Sequence, residues 1–157
     1  MNFAASNTEM TIGERLARTY LVELQAKNKQ GILDIIADDF SLTAPLNIPG
    51  TNDLTETWSG RDGAHVLYDM SFATIDVIHY IDLEFTPAKD PNVAFAEGIG
   101  VMTMTNGRPY QNRYIFRFDT AGGKIKRIWE YTNPVTSAVA FGLPLPVAAP
   151  ADSPFAT

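Results

Sequence analysis

The 157-residue chain contains no cysteine, which rules out disulfides, thiolate metal ligands and cysteine nucleophiles together. Histidine is almost as scarce. His65 and His79 are the only two, and neither has acidic partners at metal-ligand spacing, so no metal site is expected. Basic residues are few and scattered: 12 Lys and Arg against 18 Asp and Glu leave a formal charge of −6. Without a basic stripe or zinc-finger spacing to follow a phosphate backbone, nucleic acid is excluded as a partner. No apolar run approaches the roughly 20 residues that a membrane-spanning helix needs. Met1 to Thr8 has neither the positive start nor the apolar stretch of a secretory signal, so the expected location is the cytoplasm, with no membrane partner. Gly98-Ile99-Gly100 lacks the strand–turn–helix setting of a dinucleotide fingerprint, and no nucleophilic-serine motif occurs. No cofactor is expected.

What is present suits one globular domain. A content of 45% hydrophobic and 11% aromatic residues can fill one core at this length. Thr11-Ile12-Gly13-Glu14 has the form of a helix capping box, and Leu16, Tyr20 and Leu24 then recur on one helical face to about Lys27. Asn28 is placed to cap a second helix carrying Ile32, Ile35 and Ile36 and ending at Asp38-Asp39. Phe40 to Leu46 alternates like a half-buried strand, and Pro45, Pro49 and Gly50 open a loop that runs to Trp58. Ser59-Gly60-Arg61-Asp62 resembles another capping box, followed by Val66, Leu67 and Met70 at helical spacing. Four strands then follow over 77–85, 93–104, 110–118 and 124–131, joined by turn-forming segments. Three helices and then a strand meander predict an α+β domain, with the helices on one face of a curved sheet. The domain is expected over 1–143. Prolines at 144, 146, 150 and 154 make 144–157 an extended or disordered arm.

The order of short motifs is similar to a known family. Ala37-Asp38-Asp39-Phe40 and Trp58-Ser59-Gly60-Arg61 resemble the SnoaL-like branch of the nuclear-transport-factor-2-like superfamily. Asp90-Pro91-Asn92, Ala96-Glu97, Tyr110-x-Asn112, Gly123-Lys124-Ile125-Lys126-Arg127 and Glu130-Tyr131-x-Asn133-Pro134 resemble its phenazine-biosynthesis A/B-type members, as does Leu143-Pro144-x-Pro146. The resemblance covers about residues 10–146. It implies a cone-shaped roll of curved, largely antiparallel sheet enclosing an apolar pocket for a small-molecule ligand, usually in a homodimer. The superfamily holds isomerases, cyclases, dehydratases, epoxide hydrolases and non-catalytic proteins, so fold alone does not select a reaction.

Within that implied fold, strand alternation selects the residues facing the pocket. If Glu130 faces inward, so do Ile128 and Thr132; comparison with relatives adds Asn112, Tyr114 and Phe116 on one strand and Glu97, Ile99 and Val101 on another. Glu130 matches the acid/base glutamate of phenazine-type relatives, although a rim carboxylate paired with Arg or Lys is the alternative. Tyr20 resembles the oxyanion-donating tyrosine of ketosteroid isomerases, or is simply a core residue of its helix. Ala44 occupies the position of that isomerase's base and Tyr114 that of its second donor, so its mechanism does not transfer. Glu97 and Ile99 stand where epoxide hydrolases require Arg and Asp, which removes that mechanism too. Glu97, Asn112, Tyr114, Phe116, Ile128, Trp58, His65 and Ala44 are the expected ligand contacts, with His65 or Glu97 equally able to serve structural ends. The resulting expectation is a cofactor-free acid/base enzyme of isomerase, cyclase or dehydratase type, acting on a small carbonyl-bearing or conjugated metabolite. The alternative is a non-catalytic ligand-binding or association domain.

Overall fold

Thr11 caps the first helix as its spacing predicts: its hydroxyl accepts the Glu14 amide at 3.2 Å, opening α1 (Ile12–Gln25). The carboxylate of Glu14 turns instead to Arg18 one turn on, so only half of the box forms. Leu16, Ala17, Tyr20, Leu21 and Leu24 form the buried face. The computed structural model describes residues 9–46 and 55–144. The proline-rich arm beyond Pro144, the Pro49-Gly50 part of the loop and Met1 to Thr8 lie outside the described residues.

Asn28 caps α2 (Lys29–Ile35) by accepting the Gly31 amide. This helix stops before Asp38, because Ile36 already pairs with Ile125 and starts β1 (Ile36–Ala44). Trp58, expected at the end of a loop, belongs to β2 (Glu56–Ser59), which pairs Leu42 with Trp58 and Ala44 with Glu56. Ser59 precedes α3 (Gly60–Thr74) but makes no side-chain capping bond. Ala64, Leu67 and Tyr68 are its buried residues; Val66, expected on that face, is 60% exposed.

The single strand expected over 77–85 is two, β3 (Ile75–Val77) and β4 (Tyr80–Pro87), both paired with β5 (Val93–Met104). β6 (Pro109–Ala121) and β7 (Lys124–Tyr131) complete the meander. Gly122 and Gly123 join them with positive φ at both positions, which a two-residue hairpin turn requires. A fourth helix, α4 (Pro134–Phe141), follows β7 within the expected domain, where no element is expected from the sequence. Proline suits the first helical turn, since its missing N–H would have had no partner there. Asn133 accepts the Val135 and Thr136 amides, and Gly142 ends the helix at φ 69°.

The sheet runs β2-β1-β7-β6-β5-β3, with β4 beside β5; β1 and β7 are parallel and the other pairs antiparallel. Phe116, Phe118, Ile125 and Ile128 from its inner face meet Leu16, Tyr20 and Leu21 of α1 in one core. The expected α+β architecture of helices against one face of a curled mixed sheet is therefore present, with four helices rather than three among the described residues.

Candidate functional site

Between the inner sheet face and helices α1 and α3 lies a cavity of about 360 Å³, with Phe141 of α4 and Leu143 at its edge. That volume falls in the range of small-molecule sites. Glu130 enters it from β7. Its register partner on β6 is Phe116, fully buried, and its inward neighbours along β7 are Ile128 and Thr132. No described residue hydrogen-bonds or ion-pairs with the Glu130 carboxylate. Burial without a compensating partner disfavours the charged form and pushes its pKa from 4.5 up to about 7. The rim ion pair with Lys or Arg that is the alternative for this residue is not made among the described residues.

Five of the six tyrosines line the same cavity: Tyr20 from α1, Tyr68 from α3, Tyr80 from β4, and Tyr110 and Tyr114 from β6. The Tyr68 hydroxyl donates to Tyr20 at 3.1 Å. The proton of Tyr20 has no acceptor among the described residues and is left for whatever occupies the cavity. Burial raises Tyr20 well above the usual phenol range, reinforced by the neighbouring Tyr68 and Glu130 charges. Burial likewise raises Tyr80 and Tyr114, so these phenols stay neutral donors across the physiological range.

Tyr114 spends its proton differently. It donates to Tyr110 at 3.0 Å, and Tyr110 shares a hydrogen bond with Ser137 of α4 at 3.0 Å. Asn112 joins this cluster through Nδ2, donating to the Tyr110 hydroxyl, to Ser137 Oγ and to the Asn133 carbonyl, while its Oδ1 accepts the Asn133 amide. Asn112 thereby fastens α4 to β6 and has no polar atom left for a ligand.

The structure brings together half of the expected site residues, catalytic candidates and contacts taken together. Glu130, Tyr20, Tyr114, Trp58 and Ala44 line the cavity. Phe116 and Ile128 face inward as expected but are fully buried in the core beneath it. Asn112 is inward but consumed. His65 is exposed on α3, away from the lining.

Glu97 is the clear correction. It sits exposed on the outer face, opposite Ile115, on the same side of the strand as Ile99 and Val101, and the inward residues of β5 are Ala94, Ala96, Gly98, Gly100, Met102 and Met104. The strand has the opposite parity to that expected; two of the inward residues are glycines, which carry no side chain to mark a face. Pairing with β6 would have shown it: Gly98 faces Tyr114, and Gly100 faces Asn112. A second carboxylate does line the cavity, but it is Glu56, hidden in a segment read as loop. Tyr68 and Tyr80 were also missed; Tyr68 follows Ala64 by one helical turn, a signal overshadowed by Val66 and Met70.

The SnoaL-like domain family matches residues 17–128 of the chain. No curated protein matches it. Among solved structures, a phenazine biosynthesis-related protein from Pseudomonas aeruginosa is similar over 98% of this chain and 95% of its own, at 19% identity and TM-score 0.67. A protein of ketosteroid isomerase-like fold from Catenulispora acidiphila, in complex with trimethylamine, covers 82% of this chain and 93% of its own at 15% identity and TM-score 0.66. A Mycobacterium tuberculosis protein in complex with estradiol-17beta-hemisuccinate covers 76% and 92% at 16% identity and TM-score 0.65. At these identities the similarity establishes a shared fold.

Proposed function

The chain belongs to the SnoaL-like domain family, and from that premise we propose that its cavity is the site of a cofactor-free proton-transfer enzyme of isomerase, cyclase or dehydratase type. The observation that carries this reading is Glu130: a carboxylate facing a cavity, without a partner among the described residues, whose proton affinity lies near neutrality. Ionised Glu130 takes a proton from carbon beside a carbonyl or conjugated group. The free hydroxyl proton of Tyr20 hydrogen-bonds to the oxygen on which negative charge develops. Protonated Glu130 then returns the proton at a second position, or to a leaving hydroxyl, which gives isomerisation or dehydration. Neither step calls on a group beyond these side chains and the ligand.

Trp58 supports occupancy by a ligand, since it stands in the cavity wall and leaves about 360 Å³ open beside it. Two structures of similar fold are complexes with small molecules, one with estradiol-17beta-hemisuccinate and one with trimethylamine. We also infer a homodimer joined through the outer sheet face, where Phe95, Val101, Ile115 and Tyr131 are 37–48% exposed.

The test is solvent-deuterium incorporation into a panel of small cyclic ketones and enones, followed by NMR. The protein is expected to accelerate exchange at carbon adjacent to the carbonyl. Its rate should rise about tenfold per pH unit below about 7 and level off above, because the base form is the ionised one. Glu130→Gln is expected to lose about 10²-fold or more of that acceleration. Retention of the full rate by Glu130→Gln would refute the assignment and leave the ligand-binding alternative.

A further inference from the structure

The charge of the cavity wall restricts what it can hold. Two carboxylates, Glu56 and Glu130, line it, and among the described residues no Lys, Arg or His does. Lys27 donates to the carbonyls of Ile75 and Asp76 and is not part of the lining. The rest of the polar wall is uncharged, phenols together with the hydroxyls of Ser71, Thr74, Thr132 and Ser137; Tyr20 of α1, Tyr68 of α3, Tyr80 of β4 and Tyr114 of β6 stand around Glu130, with the Trp58 indole in the β2 wall.

Each ligand charge meets this wall differently. A carboxylate or phosphate finds no cation to pair with and faces Glu130 with the same sign in a poorly solvated space, which is strongly unfavourable. A neutral ligand leaves the Glu130 carboxyl without a charge partner. A cation supplies the missing partner, and electron-rich aromatic rings attract it as well.

We propose that the ligand of this cavity is a small amine or iminium compound bound as its cation and bearing no anionic group, with Glu130 as its counter-ion and the tyrosine rings as its surround. This rests on reading the cavity as a ligand site but not on turnover there. It also narrows the proposed substrate class: a protonated nitrogen near the reacting carbon would both anchor on Glu130 and acidify the adjacent C–H bond.

The test uses three probes of nearly equal size and different charge, 2-phenylethylammonium, 2-phenylethanol and 3-phenylpropionate, titrated calorimetrically into the intact protein. At about pH 8.5 the ammonium is expected to bind at least about tenfold more tightly than the alcohol, and the carboxylate more weakly than either. Lowering the pH to about 6 protonates most of Glu130 and is expected to weaken ammonium binding about tenfold, with the alcohol unchanged. Glu130→Gln should abolish both the preference and its pH dependence while still binding the alcohol, which also shows that the variant is folded. Glu56→Gln should keep the pH dependence. Equal affinity for ammonium and alcohol, tight binding of the carboxylate, or a preference that survives in Glu130→Gln would each overturn the proposal alone. Failure of all three probes to bind would overturn it together with the ligand-site reading.

Discussion

Glu130 is held in a place that costs the fold stability. Its pKa in the folded chain, about 7, lies above the ordinary 4.5, so the folded state binds this proton more tightly than the unfolded one. The stability associated with that proton is complete below about pH 4.5 and is lost as the pH rises through about 7. Fully ionised, the side chain costs up to about 3 kcal/mol. Glu130→Gln is therefore expected to unfold several degrees above the parent protein at about pH 8.5, with the difference vanishing toward pH 5, as calorimetry would show. A variant less stable than the parent at alkaline pH would mean that the carboxylate has a partner after all. A group that weakens the fold while facing an open cavity is characteristic of a functional residue.

Among the elements, β5 sets the room inside the cone by what it omits. Its inward residues are small through the middle of the strand, Ala94, Ala96, Gly98 and Gly100, before Met102 and Met104, while Phe95 and Val101 point outward. A Cβ on Gly100 would lie 2.6 Å from the Tyr114 ring and 2.9 Å from the Met102 methyl. Gly100→Ala must push that ring off its position beneath Tyr80, with which it now packs edge-on at 5.2 Å. The expected loss is about 1–3 kcal/mol of stability, seen as a lower denaturation midpoint, together with weaker binding of any cavity ligand. An unchanged midpoint would mean that Tyr114 and Met102 yield without strain. Neighbouring α4 has a comparable positioning part, since Asn112, Tyr110 and Ser137 fasten it beside the cavity edge that Phe141 forms.

Over the whole molecule, the two sheet faces do opposite work: the inner one carries the cavity and core, and the outer one leaves Ile115 and Tyr131 in register across β6 and β7 with their side chains half exposed. The proposed homodimer buries that outer face. Ile115→Asp would place a carboxylate at its centre, opposite Glu97. Light scattering is expected to show a dimer for the parent and a monomer for this variant, with the fold retained because position 115 contributes nothing to the core. A monomeric parent would remove the dimer. No helix among the described residues is long and apolar enough to cross a membrane.

Local chemistry was readable along the chain wherever it is settled by near neighbours. Thr11 and Asn28 cap helices because a side-chain oxygen three residues ahead of an orphan amide is within local reach of it, a bond that Ser59 at the start of α3 does not make. The bounds of β5 and β7 follow from alternation and from turn residues at their ends. The inward direction of Glu130, Tyr114 and Phe116 follows from period-two geometry together with the family resemblance. Other features depended on contacts between distant segments. β2 exists only because β1 offers it a ladder, so Glu56 was invisible as a cavity residue. The parity of β5 is set by its pairing with β6, since glycines leave the strand's own pattern ambiguous. The gathering of five tyrosines in one cavity with Glu130 draws on four separate elements, and no local pattern encodes it. The sequence by itself thus determined the kinds of element and the acidic group at position 130. Tertiary structure alone decided that this carboxyl stands among phenols with no partner among the described residues, because burial and pairing depend on where the rest of the chain goes.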